Sequence, residues 1–268
     1  MIAPMSIVIV GTGYMGSAIV HGLKRSSPTI SIVVVETDAA RRAEMSKAGI
    51  PTSIYLPNPI TSDALILAIP PQAFLKFSDN NHHIKNYAGA IVSIMAGISI
   101  NELQARLRQS QIYRAIPNLP CAVNEGMTVL IPAPHSTQDN DITVTKLFSR
   151  LGSLLFVEDE SLIDNATALV GGGPAYISYF AAALIEYAET SGFDKASATL
   201  MVTQLLTGTS SLLESSQDPP MRLCEKVMTP GGTTQQAIKI FDDNQLGATI
   251  ITGLKKSCAR STELGKRP

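Results

Sequence analysis

The chain is short of charge, of cysteine and of histidine, and each shortage closes a class of function. Charged residues make up 16% of its 268 positions, with 21 basic against 22 acidic. So even a balance removes the electrostatic case for a nucleic-acid partner, which needs a basic face. It also suits burial of surface between subunits, since so few charges have little to spread over exposed faces. Cys121, Cys224 and Cys258 are scattered and form no CxxC pair, which argues against a disulfide framework or a zinc site. Of His21, His82, His83 and His135 only the middle two are close, in a polar stretch (SDNNHHIKN) that reads as a solvated loop. No metal site is expected. The opening MIAPMSIVIVG lacks the charged start, apolar core and small-residue cleavage site of a signal peptide. The most apolar helical stretch, Ala175–Ala188, carries Ser178, Glu186 and three tyrosines and is too short to span a membrane. A soluble, cytoplasmic enzyme with no membrane partner is the expectation.

What the chain does have is concentrated in residues 5–36. A strand-like run, Ser6–Val10, meets Gly11-Thr12-Gly13-Tyr14-Met15-Gly16, a helical pattern follows, and a second strand closes at Glu36. Gly11 suits a tight turn, Gly13 lets backbone approach a pyrophosphate, and Gly16 lets helix pack closely on strand. The free N–H groups at the helix start favour the negative phosphates. Glu36, 20 residues past Gly16, stands where an acid grips a ribose 2′-hydroxyl. This βαβ unit predicts a nicotinamide or flavin dinucleotide site.

The two halves differ in texture. Up to residue 157, short β-rich runs (Ala64–Ala68, Ala90–Ser93, Ile112–Ala115, Met127–Leu130) alternate with helical patterns such as Asn101–Gln109. Alternation of this kind predicts an α/β doubly wound, mainly parallel Rossmann sheet. Ligands of such sheets bind beyond the carboxyl ends of the strands. That adds Ala68, Ile69 and Pro70, then Ala96, then Asn118 to the candidate cofactor-binding residues Gly11–Gly16 and Glu36. Strand signals vanish after Val157-Glu158-Asp159-Glu160, so the domains are expected at 1–157 and 158–268, the second all-α. Its Ala175–Ala188 helix is apolar nearly all round and asks for burial on more than one face. Interlocking with a second copy meets that need, although a buried central helix of a monomer would also do so.

A second constellation, VMTPGGTTQQAI (Val227–Ile238), combines turn chemistry at Thr229–Gly232 with a capping-box spacing, Thr233-x-x-Gln236, that opens a helix. Such a start presents free N–H groups and threonine hydroxyls with no bulk in front, a receptor for a carboxylate. Equally, it is what a well-capped helix looks like.

Taken with GGGPAY (Gly171–Tyr176) and the helical second half, these stretches resemble the pyrroline-5-carboxylate reductase family over nearly the whole chain. The resemblance implies NAD(P)H-dependent reduction of a small anionic cyclic imine, 1-pyrroline-5-carboxylate, to L-proline. It implies a helical domain that interlocks into a homodimer, with decamers of five dimers as a further assembly. It also implies that Thr229, Gly231, Gly232 and Thr233 receive the substrate carboxylate and that Thr234, the catalytic candidate, bonds the ring nitrogen. Three places depart from the family pattern. Ile69-Pro70-Pro71 replaces Val-Lys-Pro, Leu119 replaces the threonine of PNTP, and Gly172 replaces a serine.

The residue types suit an imine. An iminium carbon is already electrophilic, so the site needs orientation more than a strong acid. A ketone reductase would want a Lys, His or Tyr acid; Gly171–Ser191 contains no lysine, and its Tyr176 and Tyr179 remain as possible acids, although tyrosines on an apolar helix usually pack. A reductase of another imine or a hydroxyacid, and a non-catalytic dinucleotide-binding protein, remain alternatives at this level. Between cofactors, Glu36 opposes a 2′-phosphate and leans the reading to NADH, while Arg41 and Arg42 stand near enough to receive one.

Overall fold

A computed structural model describes residues 5–265. Contacts divide it into two compact units: one runs to Pro174 and takes back the chain from Lys256, the other is Ala175–Lys255.

The first unit is built on an eight-stranded sheet of order β3-β2-β1-β4-β5-β6-β7-β8. Its strands are β1 (Ser6–Val10), β2 (Ser31–Val35), β3 (Thr52–Ser53), β4 (Ala64–Leu67), β5 (Ala90–Ser93), β6 (Ile112–Ile116), β7 (Gly126–Pro132) and β8 (Gly152–Phe156). The central strands are apolar on both faces because helices cover both. Ile7 and Ile9 belong to one core cluster and Val8 and Val10 to the other, so alternate residues of β1 feed the two sides of the sheet. The covering helices are α1 (Tyr14–Ser26), α2 (Ala39–Lys47), α3 (Pro71–Asn80), α4 (Ile100–Leu107) and α5 (Gln138–Phe148). Strand β1 pairs in parallel with β2 (Val8 beside Val33) and with β4 (Val8 beside Leu65). The strand order therefore reverses between β1 and β4.

One pairing departs from the parallel scheme. Strand β7 runs antiparallel to β6. The link from Ile116 to Gly126 holds only a short 3-10 turn, Leu119–Val123. That is too little chain for a crossover, which needs a dozen or more residues, so the strand must turn back.

Beyond β8, α6 (Ser161–Ala166) runs through a π-helical turn, Thr167–Gly171, into α7 (Gly173–Thr190). The helical run Ser161–Thr190 is 30 residues long, and by length and composition alone it is long and apolar enough to cross a membrane. The expectation that this stretch is too short is thus corrected. The π turn carries the helix through the glycines instead of breaking there.

Strand β6 also holds a buried ion pair. Arg114, 4% exposed, meets Glu160 at 2.6 Å, and the same Glu160 oxygen accepts the Ile100 N–H at 2.8 Å. Asp164 on α6 accepts the hydroxyls of Ser261 and Thr262 at 3.0 and 3.3 Å, which ties the chain's last helical turns to this unit. Asp164 also lies 3.7 Å from the guanidinium, so the buried Arg114 charge is shared between two acids of the segment that follows β8.

The second unit is helical: α7 from Ala175, α8 (Lys195–Ser215), α9 (Pro220–Val227), α10 (Thr233–Asp243) and α11 (Leu246–Gly265) up to Lys255. Helix α7 ends at Gly192, whose φ of +101° suits glycine and lets the chain leave the helix. Helix α8 starts on Asp194, which accepts the N–H groups of Ala196 and Ser197 at 3.0 Å each. Only Ala188 of α7 is buried, whereas Tyr179 and Ile177 are 83% and 57% exposed. A helix so apolar and so uncovered marks an interaction surface.

Candidate functional site

Two open helix starts stand out, one in each unit. The first lies at the strand-order reversal between β1 and β4, where doubly wound sheets place their ligands. Gly11 leaves β1 with φ +94°, and its N–H donates to the Val35 carbonyl at 2.8 Å. A Cβ on Gly11 would come within 2.6 Å of the Ala68 carbonyl oxygen, so the turn is pressed against the end of β4. On Gly16 a Cβ would collide with the Gly11 carbonyl, which is how α1 sits so close to the strand. Gly13 differs, because a Cβ there would meet nothing within 4 Å. Its smallness serves no internal packing and leaves space in front of the α1 N-terminus. No side chain caps that terminus, so its N–H groups and dipole face the open space. These residues fit a dinucleotide pyrophosphate.

Glu36 is fixed by this loop. It is 7% exposed; one carboxylate oxygen accepts the N–H and the hydroxyl of Thr12 at 2.8 and 3.0 Å, and the other accepts the Asp38 N–H at 2.9 Å. Burial alone would raise its pKa, but the N–H groups of Asp38 and Thr12 and the Thr12 hydroxyl together lower it. Ser17 completes the tie by donating its hydroxyl to the Thr12 carbonyl at 2.9 Å. Beside Glu36, one guanidinium nitrogen of Arg42 donates to the carbonyls of Glu36 and Thr37 at 2.9 and 2.7 Å.

The other expected residues of this unit lie along the same sheet edge. Ala68 and Ile69 are half-buried against Gly11, and Pro70 is the exposed residue that precedes α3. Tyr14 is 92% exposed and Met15 packs on the core. Ala96 follows β5 in a half-buried loop. Asn118 follows β6, and its side-chain oxygen accepts the Met127 N–H at 2.8 Å, holding the return into β7.

The second helix start is the Thr229–Gln235 turn. The Gly232 N–H donates to the Thr229 carbonyl at 2.9 Å, and Gly231 has φ +71° behind Pro230. Pro followed by a positive-φ Gly is a type II turn. A Cβ on Gly232 would strike the Thr229 hydroxyl, so the turn closes tightly. The expected capping box is replaced by another arrangement. Helix α10 starts one residue earlier, with Gly232 as its uncapped N-terminal residue, and Gln235, not Gln236, reaches back to the Gly231 N–H at 2.8 Å. Thr233 therefore sits inside the first turn instead of capping it. With Thr234 it adds two hydroxyls to a helix start whose first N–H groups have no intrahelical acceptor. Thr229, Gly231 and Thr233 are exposed, and Gly232 and Thr234 half-buried.

A mainly parallel sheet with an open dinucleotide loop, joined to a helical unit with an apolar surface, defines a nicotinamide-dependent oxidoreductase with a helical self-association domain. Residues 6–97 match the family described as NADP oxidoreductase coenzyme F420-dependent, and residues 160–264 match pyrroline-5-carboxylate reductase dimerisation. The pyrroline-5-carboxylate reductase of Vibrio alginolyticus is 31% identical over 97% of this chain and 97% of its own. That of Arabidopsis thaliana is 27% identical over 96% and 94%. The 1-pyrroline-5-carboxylate reductase structure from Streptococcus pyogenes superposes with a TM-score of 0.87 at 28% identity, covering 97% of this chain and 99% of that one. This chain belongs to the pyrroline-5-carboxylate reductase family.

Proposed function

We propose that the chain reduces 1-pyrroline-5-carboxylate to L-proline, the last step of proline biosynthesis, using NAD(P)H. The carrying observation is the Thr229–Thr234 turn, which brings free N–H groups and threonine hydroxyls to one uncapped helix start. When bound, the reduced nicotinamide supplies the hydride that the imine carbon accepts. The uncapped α1 terminus and the space before Gly13 hold the pyrophosphate. Thr229 and Thr233 receive the anionic carboxylate at the α10 dipole, on the turn formed by Gly231 and Gly232, whose own N–H groups are held by Gln235 and Thr229. The Thr234 hydroxyl bonds the ring nitrogen as it takes its proton, fixing the face on which hydride arrives. Helix α7 offers tyrosines but no lysine to protonate an alkoxide, which supports an imine over a ketone substrate.

Between the two cofactors, NADPH is the better fit. The NADH preference expected from Glu36 assumes a carboxylate turned to the ribose. Three of its roughly four acceptor positions are already filled by Thr12 and Asp38, which leaves room for one hydroxyl. Arg42 is held at the same strand end, where an arginine can meet a 2′-phosphate. The solved pyrroline carboxylate reductase of Plasmodium falciparum has NADP bound. The functional unit is a cytoplasmic homodimer, or a decamer of five such dimers, formed through exposed apolar residues such as Ile177 and Leu200. Turnover of purified protein against a panel of cyclic imino acids with reduced cofactor tests the reading. Cofactor binding without turnover of any imine would overturn it.

A further inference from the structure

The sheet edge opposite the glycine loop carries a different kind of recess. Helices α3 and α4 begin beyond the carboxyl ends of their strands and run back, so their C-termini lie at the other end of the sheet. There a recess of about 260 Å³ is lined by Asn81, His82, Lys85, Arg106, Leu107 and Arg108. Three of the six are formal cations, a fourth is an imidazole, and no acid is among them. Asp79 and Glu102, the nearest acids on the same two helices, do not line it, and neither pairs with its cations among the described residues.

Basic side chains at helix C-termini often only offset the helix dipole. Each terminus carries about half a negative charge, so two termini neutralise about one of the three cations. An excess near two positive charges remains in one concave place. Arg108 adds a second argument. It stands at the end of α4 with φ +52°, a left-handed position that favours glycine or asparagine, yet it carries a long cationic side chain that lines the recess. The floor is firm, since Leu107 is 3% exposed.

We propose that this recess binds a small phosphate-bearing anion, at a site separate from the dinucleotide loop. Two guanidinium forks can grip phosphate oxygens in bidentate fashion, with the Lys85 ammonium as a point charge beside them. The volume lies just below the usual range for drug-sized ligands, about 300–1,000 Å³, which limits the occupant to a small molecule and excludes a second dinucleotide.

The test is calorimetric titration of pyrophosphate into the full chain at saturating NADP⁺, so that the cofactor's own phosphate sites are filled. Citrate serves as a non-phosphate polyanion. The variant is the pair Arg106→Gln with Arg108→Asn; glutamine keeps helix propensity and asparagine suits the left-handed position, so the fold is preserved. Saturable pyrophosphate binding should weaken at least tenfold in the variant while imine turnover stays within about twofold, and citrate should bind the unmodified chain more weakly. No pyrophosphate binding, an affinity unchanged in the variant, or citrate binding as tightly as pyrophosphate would each overturn the proposal.

Discussion

Glu36 accepts both the N–H and the hydroxyl of Thr12, at 2.8 and 3.0 Å, so the end of β2 holds the glycine loop in place. The acid is first a clamp on the glycine turn. Glu36→Ala would leave the buried N–H of Thr12 without its acceptor, and a hydrogen bond to a charged group is worth about 1.5–3 kcal/mol. The expected result is a loss of roughly tenfold or more in affinity for NADH and NADPH alike, since 1.4 kcal/mol is about tenfold. Fluorescence titration of both cofactors checks it. A loss confined to NADH would return Glu36 to a ribose-only role.

The same clamp has a pH signature. The folded pKa of Glu36 is lowered, so its contribution to folding is complete above the ordinary carboxylate range and lost as pH falls through the folded value. Affinity for NAD⁺, which has no 2′-phosphate to titrate near pH 6, should be flat above about pH 5 and decline in more acid solution, and the Glu36→Ala variant should lack that decline. Titration of cofactor binding from neutral to acid pH in both proteins measures it.

Gly13 separates binding from folding. A Cβ at this position meets nothing within 4 Å, so the folded chain has room for a side chain, which would fill the space proposed for the pyrophosphate. Gly13→Val should melt within a few degrees of the unmodified protein and lose nicotinamide binding at least a hundredfold, a change of about 2.7 kcal/mol. An unchanged cofactor titration in the folded variant would remove the loop from the site.

Much of the first unit is legible in the sequence because parallel strands buried on both faces read as continuous apolar runs between glycine and proline signals. The runs at Ala64, Ala90, Ile112 and Met127 fall on β4 to β7. The pieces that escape have weak local signals. Strand β3 has two residues, too few for any periodicity, and β8 lies at the sheet edge, where Phe156 and Leu155 stay exposed. The reversal of β7 is decided by the length of the link after β6, which periodicity does not weigh. At the second helix start the stretch is plain but its register is not. Thr233 and Gly232 both suit an N-terminal residue, and Gln235 and Gln236 both suit the reach back. The tight turn on the Thr229 hydroxyl decides for Gly232. The bond between Thr12 and Glu36 joins residues 24 apart, beyond any local pattern.

Thr234 should matter to the chemical step. It is half-buried in the first turn of α10, one position past Thr233, and makes no cap. Thr234→Ala should lower turnover by roughly tenfold, about 1.4 kcal/mol in the barrier, and Thr234→Ser should keep most of the rate. Steady-state kinetics of the three proteins, with circular dichroism to confirm folding, decides it. Equal rates would assign Thr234 to helix structure alone.

Ile177, 57% exposed on α7, tests self-association. An aspartate there costs little in an isolated chain, where it would face water. In a dimer interface it would bury an unpaired charge, at several kcal/mol. Ile177→Asp should lower the mass seen by light scattering to that of a single chain. A variant that keeps the unmodified protein's mass would place the interface elsewhere on the helical unit.

Arg42 tests the cofactor choice. Its two bonds to the Glu36 and Thr37 carbonyls use one guanidinium nitrogen, and the rest of the fork remains for a phosphate. A charge-assisted contact of that kind is worth about 1.5–3 kcal/mol, which corresponds to roughly a tenfold to hundredfold effect. Arg42→Gln keeps a donor for the carbonyls and removes the charge. The Michaelis constant for NADPH should therefore rise at least tenfold while that for NADH moves by no more than about threefold. A lower Michaelis constant for NADH than for NADPH in the unmodified protein would show that the Glu36 carboxylate, despite its bonds to Thr12 and Asp38, still repels the 2′-phosphate more strongly than Arg42 attracts it.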